Sequence, residues 1–449
     1  MLCSKQILRK TKSKHLMKLT IAKAMQKVLG EKANQLAIET GFVKRHREIS
    51  GSSFVKGLVF GWMNAPSASL STLSQSLGNA GSPIKRQSLS NRFQAETCSF
   101  LKAVLGAALE ANIQAFPAPN RLLNRFTRVE LVDSSIISLP NTCQDSWQGS
   151  GGNGAAALSA LKISVRFDLK HGRISHLDLS HGREHDSRAL AHTAPLAKGS
   201  LIIEDLGYFS LAAFKRVAKQ EAYYLSRYKL RSKVFSLQGA ALDLEKLLPT
   251  ETGKRLDIEV YLGQKQDLKT RLVAERVPES VVEQRRARLR ETARRCQKPI
   301  SPLAWAMTAW TIYLTNIPKE LASPAEIFLL GRYRWQIELL FKLWKSQLVI
   351  DEWQSKKPER ILAELYCKLI GAIISHWLLL LACWQNPARS LQQALSSVQA
   401  LAWQFANSLH SRAALYHAFA ALINALSKTA MDRSRQRPCT FQLLEASIP

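Results

Sequence analysis

The chain is short of acid. Its 449 residues carry 34 Asp plus Glu against 63 Lys plus Arg, a formal net charge of +29. So large an excess needs a polyanionic partner, nucleic acid first and an anionic membrane surface second. Paired cysteines are missing too. The seven (Cys3, Cys98, Cys143, Cys296, Cys367, Cys383 and Cys439) are scattered, with no C-x-x-C pair. That argues against a disulfide framework or structural zinc and for reduced, cytosolic thiols. Long apolar runs are scarce. The longest, Leu369 to Trp384, is broken by Ser375 and His376 and is shorter than the roughly 20 residues that span a bilayer. It reads as a buried core helix, so no membrane partner is expected. The basic N-terminus does not read as a signal peptide. No G-x-x-x-x-G-K-[ST] occurs, so no bound ATP is implied.

What is present is globular. Hydrophobic residues make up 46% and charged residues 22%, and the length suits roughly two to four domains. The first 56 residues hold 13 Lys or Arg and three acids, Glu31, Glu39 and Glu48. Leu70, Leu73 and Leu77 lie at helical spacing, residues 78–83 break that helix, and residues 84–93 restart one. A helix, a break and a basic polar helix resemble a helix-turn-helix reader, with Lys85, Arg86 and Arg92 as DNA contacts. The plainer alternative is a helical hairpin with a solvated basic face.

Beyond Arg128 the pattern becomes mixed. Residues 129–132 read as a short strand ending at Asp133, with a polar loop after it. Residues 162–168 alternate as a half-buried strand does. His171-Gly172 marks a turn, and residues 174–179 return. Residues 187–196 look helical, 201–203 form a buried strand ending at Glu204-Asp205, 209–220 a helix and 222–226 a strand. The stretch 229–309 interrupts this with a strand at 256–262 and a basic helix at 281–298. A strand at 310–316 and one helix from 323 to 348 follow, then helices to the end. The order suits an α/β fold, a mixed sheet with helices on its faces.

Asp133 and Asp205 each end a short apolar strand, where ligands bind in α/β folds. Taken singly, each is as readily a cap or turn residue. Glu338 lies in a helix. At about 100° per residue, Arg334 and Lys345 fall about 40° and about 20° to one side of it and Lys342 about 40° to the other. By itself that face is a solvated i,i+4 pair. Together, three carboxylates from separate segments match what two hard divalent cations need for phosphodiester displacement.

These segments resemble the DDE transposases of the insertion-sequence-four family, over residues of about 130 to 348. Arg334-x3-Glu338-x6-Lys345 matches the last three positions of the signature Y-x2-R-x3-E-x6-K. Residues 132–135 and 204–209 look like the segments carrying its two aspartates, and 182–187 and 224–227 are also similar. The signature tyrosine falls at Gly331 here, and Tyr333 lies on a different helix face. The resemblance implies an RNase H-like core with catalytic and metal-binding Asp133, Asp205 and Glu338. It implies two Mg²⁺ per site, replaceable by Mn²⁺. It also implies DNA contacts from Arg334, Lys342, Lys345 and Arg227, and base stacking by Trp310, whose alternative is an ordinary core aromatic. The implied partner is double-stranded DNA, at inverted-repeat ends and target, bound by a homodimer, in a bacterial cytoplasm at the nucleoid. The expected domains are a basic DNA-binding region at 1–120, a catalytic core at 125–228 and 310–357, a β-rich insertion at 229–309 and a helical region at 358–449.

Other patterns carry less. Gly149-x-Gly151-x-x-Gly154 formally matches a dinucleotide fingerprint, but no strand immediately precedes it and no crossover helix follows. His171, His176, His181 and His185 straddle a turn and a strand without ligand spacing. Two rival functions stay open: a metal nuclease on the same fold, and a DNA-binding descendant without catalysis.

Overall fold

The computed structural model describes residues 15–427 except 46–48, 118–119, 152–157, 249–253, 266, 382 and 385–388. The basic residues before 15 and Gly154 lie outside that set. The strands are β1 (Val129–Ser138), β2 (Ala160–Asp168), β3 (Arg173–His181), β4 (Leu201–Glu204), β5 (Tyr223–Arg227), β6 (Val234–Phe235), β7 (Arg255–Leu262), β8 (Leu268–Arg276) and β9 (Trp310–Thr315). They form a mixed sheet in the order β3-β2-β1-β4-β5-β9-β8-β7-β6, with helices around it, in agreement with an α/β RNase H-like fold. The helices used below are α1 (Gly51–Asn64), α2 (Leu70–Asn79), α3 (Arg86–Arg92), α4 (Ala95–Glu110), α5 (Leu211–Lys219), α6 (Glu279–Cys296), α7 (Pro324–Arg332), α8 (Trp335–Gln347) and α9 (Pro358–Leu380).

The chain divides into two compact units. Among the described residues, one comprises those of 15–117, 134–184 and 338–427, the other those of 120–133 and 185–337. In the first, α9 packs on α1 and α4. α1 starts where Ser50 and Ser53 exchange bonds in a capping box, which satisfies helix N–H groups that otherwise lack partners. α9 is long and apolar enough to cross a membrane, but 89% of its most apolar window is buried in the protein, the placement of a core helix. The antiparallel β2–β3 pair turns at Gly172, whose φ of +64° suits glycine. β2 is buried at every position, so the expected half-buried alternation is corrected. Two of its polar side chains are bonded inside: Lys162 Nζ donates to the Glu184 carbonyl, and Asp168 meets His171 at 2.7 Å.

In the second unit, β4 runs parallel to β1 and to β5, and β5 is antiparallel to β9. β9 continues into β8, β7 and β6, all antiparallel. Strands from the interrupting stretch therefore extend the same sheet. Val132, Ile202, Phe214, Tyr224, Leu272 and Leu314 share its core, and the Phe214 and Tyr224 rings stack at 4.4 Å. Two sequence expectations change. β1 does not end at Asp133 but runs on to Ser138, because β-branched Ile136 and Ile137 sustain extended backbone through the polar Ser134-Ser135 pair. The helix expected from 323 to 348 is two helices, α7 and α8, with a turn at Tyr333–Arg334.

Candidate active site

Parallel pairing sets the site. β1 and β4 register Val132 opposite Glu204, so Asp133 and Asp205 are each one residue past the last paired positions of the two strands. Neighbouring strands lie about 4.8 Å apart, which brings the two carboxylates to one level on adjacent strands. Arg334 meets both: its Nη1 is 3.5 Å from Asp133 Oδ2 and its Nε 3.6 Å from Asp205 Oδ1. The side chains are 17% and 44% exposed for the two aspartates, so the group is open to a ligand.

The β4 end is braced from within. Glu204 Oε1 lies 2.5 Å from His192 Nδ1, and Arg216 Nη2 lies 3.4 Å from His192 Nε2. A guanidinium only donates, so Nε2 accepts and the proton sits on Nδ1, directed at Glu204. On the other side of Asp205, a Cβ at Gly207 would stand 2.8 Å from the Asp186 carboxylate. The absence of a side chain there lets the 205–209 segment lie against the 185–187 segment.

Arg334 occupies the turn between α7 and α8. α7 begins sharply because Ser323, Pro324 and Glu326 build a capping box with proline in the first turn. Glu326 also takes a two-pronged ion pair from Arg125, at 2.8 and 3.0 Å. Glu338, Lys342 and Lys345 belong to the first unit. Glu338 is half-buried in the first turn of α8 and Lys342 is exposed. Lys345 Nζ donates to the Ile136 carbonyl at 3.1 Å, three residues along β1 from Asp133.

The remaining candidates are placed as follows. Arg227 is exposed at the end of β5, opposite Tyr313 of β9. Trp310 opens β9, half-buried against the core, with the Arg276 guanidinium 5.7 Å from its ring centre. Lys85 precedes α3 and is exposed, as is Arg86, and Arg92 ends α3 over the Phe42 ring at 5.9 Å. α2 and α3 pack together. A cavity of about 460 Å³ beside them is lined by Phe42, Lys44, Arg45, Asn91 and Arg92 among others.

Sequence reading missed three features. Arg285 of the basic helix α6 turns inward and donates to the carbonyls of Thr308 and Trp310 and to Thr311 Oγ1. Burial, and then the Arg227 charge, lower its pKa. Arg286 and Arg290 lie over the Trp305 ring at 4.7 and 5.2 Å. His192 is the third. Arg285 lies three residues from buried Val282, about 60° away around α6, a spacing visible in the sequence.

The Asp133–Asp205 pair fits a hard divalent cation. Both carboxylates face one positive group, at distances longer than the about 2.7–2.9 Å of a tight charge-assisted bond. Among the described residues no three His, Cys, Asp or Glu side chains form a ready-made metal group.

A strand-borne aspartate pair at the rim of a mixed sheet, with a flanking arginine, is an arrangement that suits metal-dependent phosphoryl transfer on nucleic acid. The family described as Transposase DDE domain matches residues 124–374, and the chain belongs to that family. It is 30% identical over 363 residues to the transposase for insertion sequence element IS231B of Bacillus thuringiensis subsp. berliner, covering 76% of this chain and 75% of that protein. The transposase for IS1151 of Clostridium perfringens is 26% identical over 364 residues, covering 76% of each chain. The putative transposase InsL for IS186A of Escherichia coli K12 is 25% identical over 256 residues, with 55% and 65% covered. The protein is thus a DDE transposase of the insertion-sequence kind, an enzyme acting on DNA, and a divalent metal is the general requirement of that family.

Proposed function

We propose that the protein excises an insertion sequence and joins it to new DNA by cut-and-paste transposition, with Asp133, Asp205 and Glu338 holding two Mg²⁺. One observation carries this reading: the parallel register that sets Asp133 beside Asp205, with Arg334 against both. Bound Mg²⁺, or Mn²⁺ in its place, would supply Lewis acidity at the scissile phosphate. The three carboxylates fix where the phosphate lies. Arg334, released from the aspartates, holds a nonbridging phosphate oxygen with its planar fork. Lys342, Lys345 and Arg227 bind neighbouring backbone phosphates, and Trp310 stacks an unpaired base.

Water opens one strand at the transposon end and leaves a 3′-OH. That hydroxyl attacks the opposite strand to give a hairpin, a second water reopens it, and the 3′-OH attacks target DNA. The basic N-terminal region, through Lys85, Arg86 and Arg92, grips the inverted repeats, and a homodimer pairs two ends at the nucleoid. Binding falls steeply with salt because phosphate contacts release counterions.

The test uses a plasmid carrying the inverted repeats that flank the gene. Asp133→Asn, Asp205→Asn and Glu338→Gln each abolish Mg²⁺-dependent cutting while end binding persists. Undiminished cutting by any one removes that residue from the site. Joined products on a supercoiled target separate a transposase from a plain metal nuclease, which yields none.

A further inference from the structure

Helix α6 packs little and carries much charge. Among its described residues Val282 alone is buried, in a small cluster with Val277 and Ala309 against which Val281 and Trp310 pack. Arg285 then ties the helix to the start of β9. From Ala287 to Cys296 every residue except half-buried Leu289 and Ala293 is exposed. Most helices in globular proteins are held by an apolar face. This one is held by other means. Glu279 lies in its first turn and Arg294 and Arg295 in its last, where each complements the helix dipole. Arg286 and Arg290 cover the Trp305 ring of the short helix that follows, Pro302–Ala306.

The charge is of one sign. Residues 286–298 hold six cations and one acid, Glu291. Arg286, Arg290 and Arg294 follow at four-residue steps along one flank, and like charges so spaced repel each other. Arg288 and Arg295, two turns apart, share another flank. A polyanion laid on this surface offsets the repulsion.

The root of α6 lies on the catalytic edge of the sheet. Glu204 of β4 pairs with Ser226 of β5, and Ser226 with Leu314 of β9. Asp205 is thus level with Arg227 and Tyr313. Trp310 stands three residues further out on the same edge, opposite Arg276, the last residue of β8. α6 begins three residues after Arg276 and packs on the turn just before Trp310.

We propose that α6 holds target DNA, with Arg288, Arg294 and Arg295 on the phosphate backbone of a duplex of any sequence. The arginine fork matches phosphate oxygens. A transposase handles two kinds of DNA. The ends have a defined sequence, and the region proposed to grip them, with Lys85, Arg86 and Arg92, belongs to the other compact unit. Target DNA has no fixed sequence, so phosphate contacts must hold it, and it must come to the edge that carries Asp133 and Asp205. The inference rests on the transposase reading above.

The experiment uses the full chain carrying Arg288→Gln/Arg294→Gln/Arg295→Gln. Glutamine is a good helix former and the three positions are exposed, so the melting temperature is expected to hold. The measurements are Kd for a random-sequence duplex without the inverted repeat at several salt concentrations, Mg²⁺-dependent cutting of the inverted-repeat plasmid, and joining to a supercoiled target. The random duplex is expected to bind about tenfold more weakly at low salt, with a salt slope shallower by about 0.9 per lost contact. Joining should fall about as far, while cutting stays within about twofold of the parent rate. The corresponding triple Lys variant keeps the charge and should recover most of the binding. Unchanged binding and joining overturn the proposal. So does cutting that falls as far as joining, which would assign α6 to the transposon ends. If the triple variant does not fold, Arg288→Gln/Arg295→Gln on the single flank decides by the same measurements. Absence of joined product from the parent protein defeats the transposase reading and this proposal with it; full joining by the triple variant defeats this proposal alone.

Discussion

His192 and Glu204 meet at 2.5 Å, with their side chains 1% and 4% exposed. The carboxylate directly precedes Asp205 in the chain, so whatever holds Glu204 also holds the backbone from which Asp205 projects. Replacing His192 with Leu leaves a buried carboxylate without its donor. The expected cost is about 3–5 kcal/mol, the usual result of stranding one partner of a buried polar pair. Denaturant unfolding measures it. His192→Leu/Glu204→Leu should recover part of that stability, and failure to do so would show that the pair is not what braces β4.

Arg334 lies against both Asp133 and Asp205. Arg334→Lys keeps the charge but loses the planar fork. Cutting is expected to fall by about 10²-fold, the range found when one preorganised donor to developing charge is removed. Plasmid cutting at saturating Mg²⁺ reads this directly. A loss below about threefold would place Arg334 outside the reaction.

Glu326 gives a pH-dependent contribution. Burial tends to raise its carboxyl pKa, but the bonds from Arg125 and Ser323 outweigh this and the net shift is downward. A depressed carboxylate stabilises the fold above its unfolded pKa, about 4.3, and the benefit disappears as pH falls through the lower folded value. Glu326→Gln should therefore lower the melting temperature at pH 7 and have little effect near pH 3. Solvent reaches Arg125, so the cost at pH 7 is about 1 kcal/mol. An equal loss at both pH values would assign the effect to packing.

Within α9, Lys368 and Glu364 form an ion pair at 2.8 Å with side chains 2% and 1% exposed, and Lys368 Nζ donates to the Val349 and Glu352 carbonyls. Lys368→Met removes the nearest cation from a buried carboxylate and frees two carbonyls, for a cost of about 3–5 kcal/mol. Lys368→Met/Glu364→Met should be more stable than the single variant. Thermal unfolding compares them, and a single variant as stable as the parent protein would contradict the pairing.

How much was legible beforehand depended on the range of the interaction. Local signals were reliable where capping or strand chemistry is local. Residues 201–203 show their strand in three consecutive apolar residues, and Leu70, Leu73 and Leu77 show α2 in their spacing. β1 was read too short because Ser134 and Ser135 look like a loop, while their extended form is held by neighbouring strands. β8 went unread between charged residues. The Arg334–Glu338–Lys345 spacing was visible as a pattern, but the turn at Tyr333–Arg334 within it was not.

From its residues alone this chain was bound to be basic, α/β and equipped with carboxylates at the ends of apolar segments, since composition and short-range periodicity decide those properties. The tertiary structure decided which groups meet. The register of β1 on β4 placed Asp133 level with Asp205, and the pairing of β5, β9 and β8 rooted α6 on the same edge of the sheet. Such meetings follow from backbone hydrogen bonding and close packing between distant segments, and no spacing along one strand or helix encodes them.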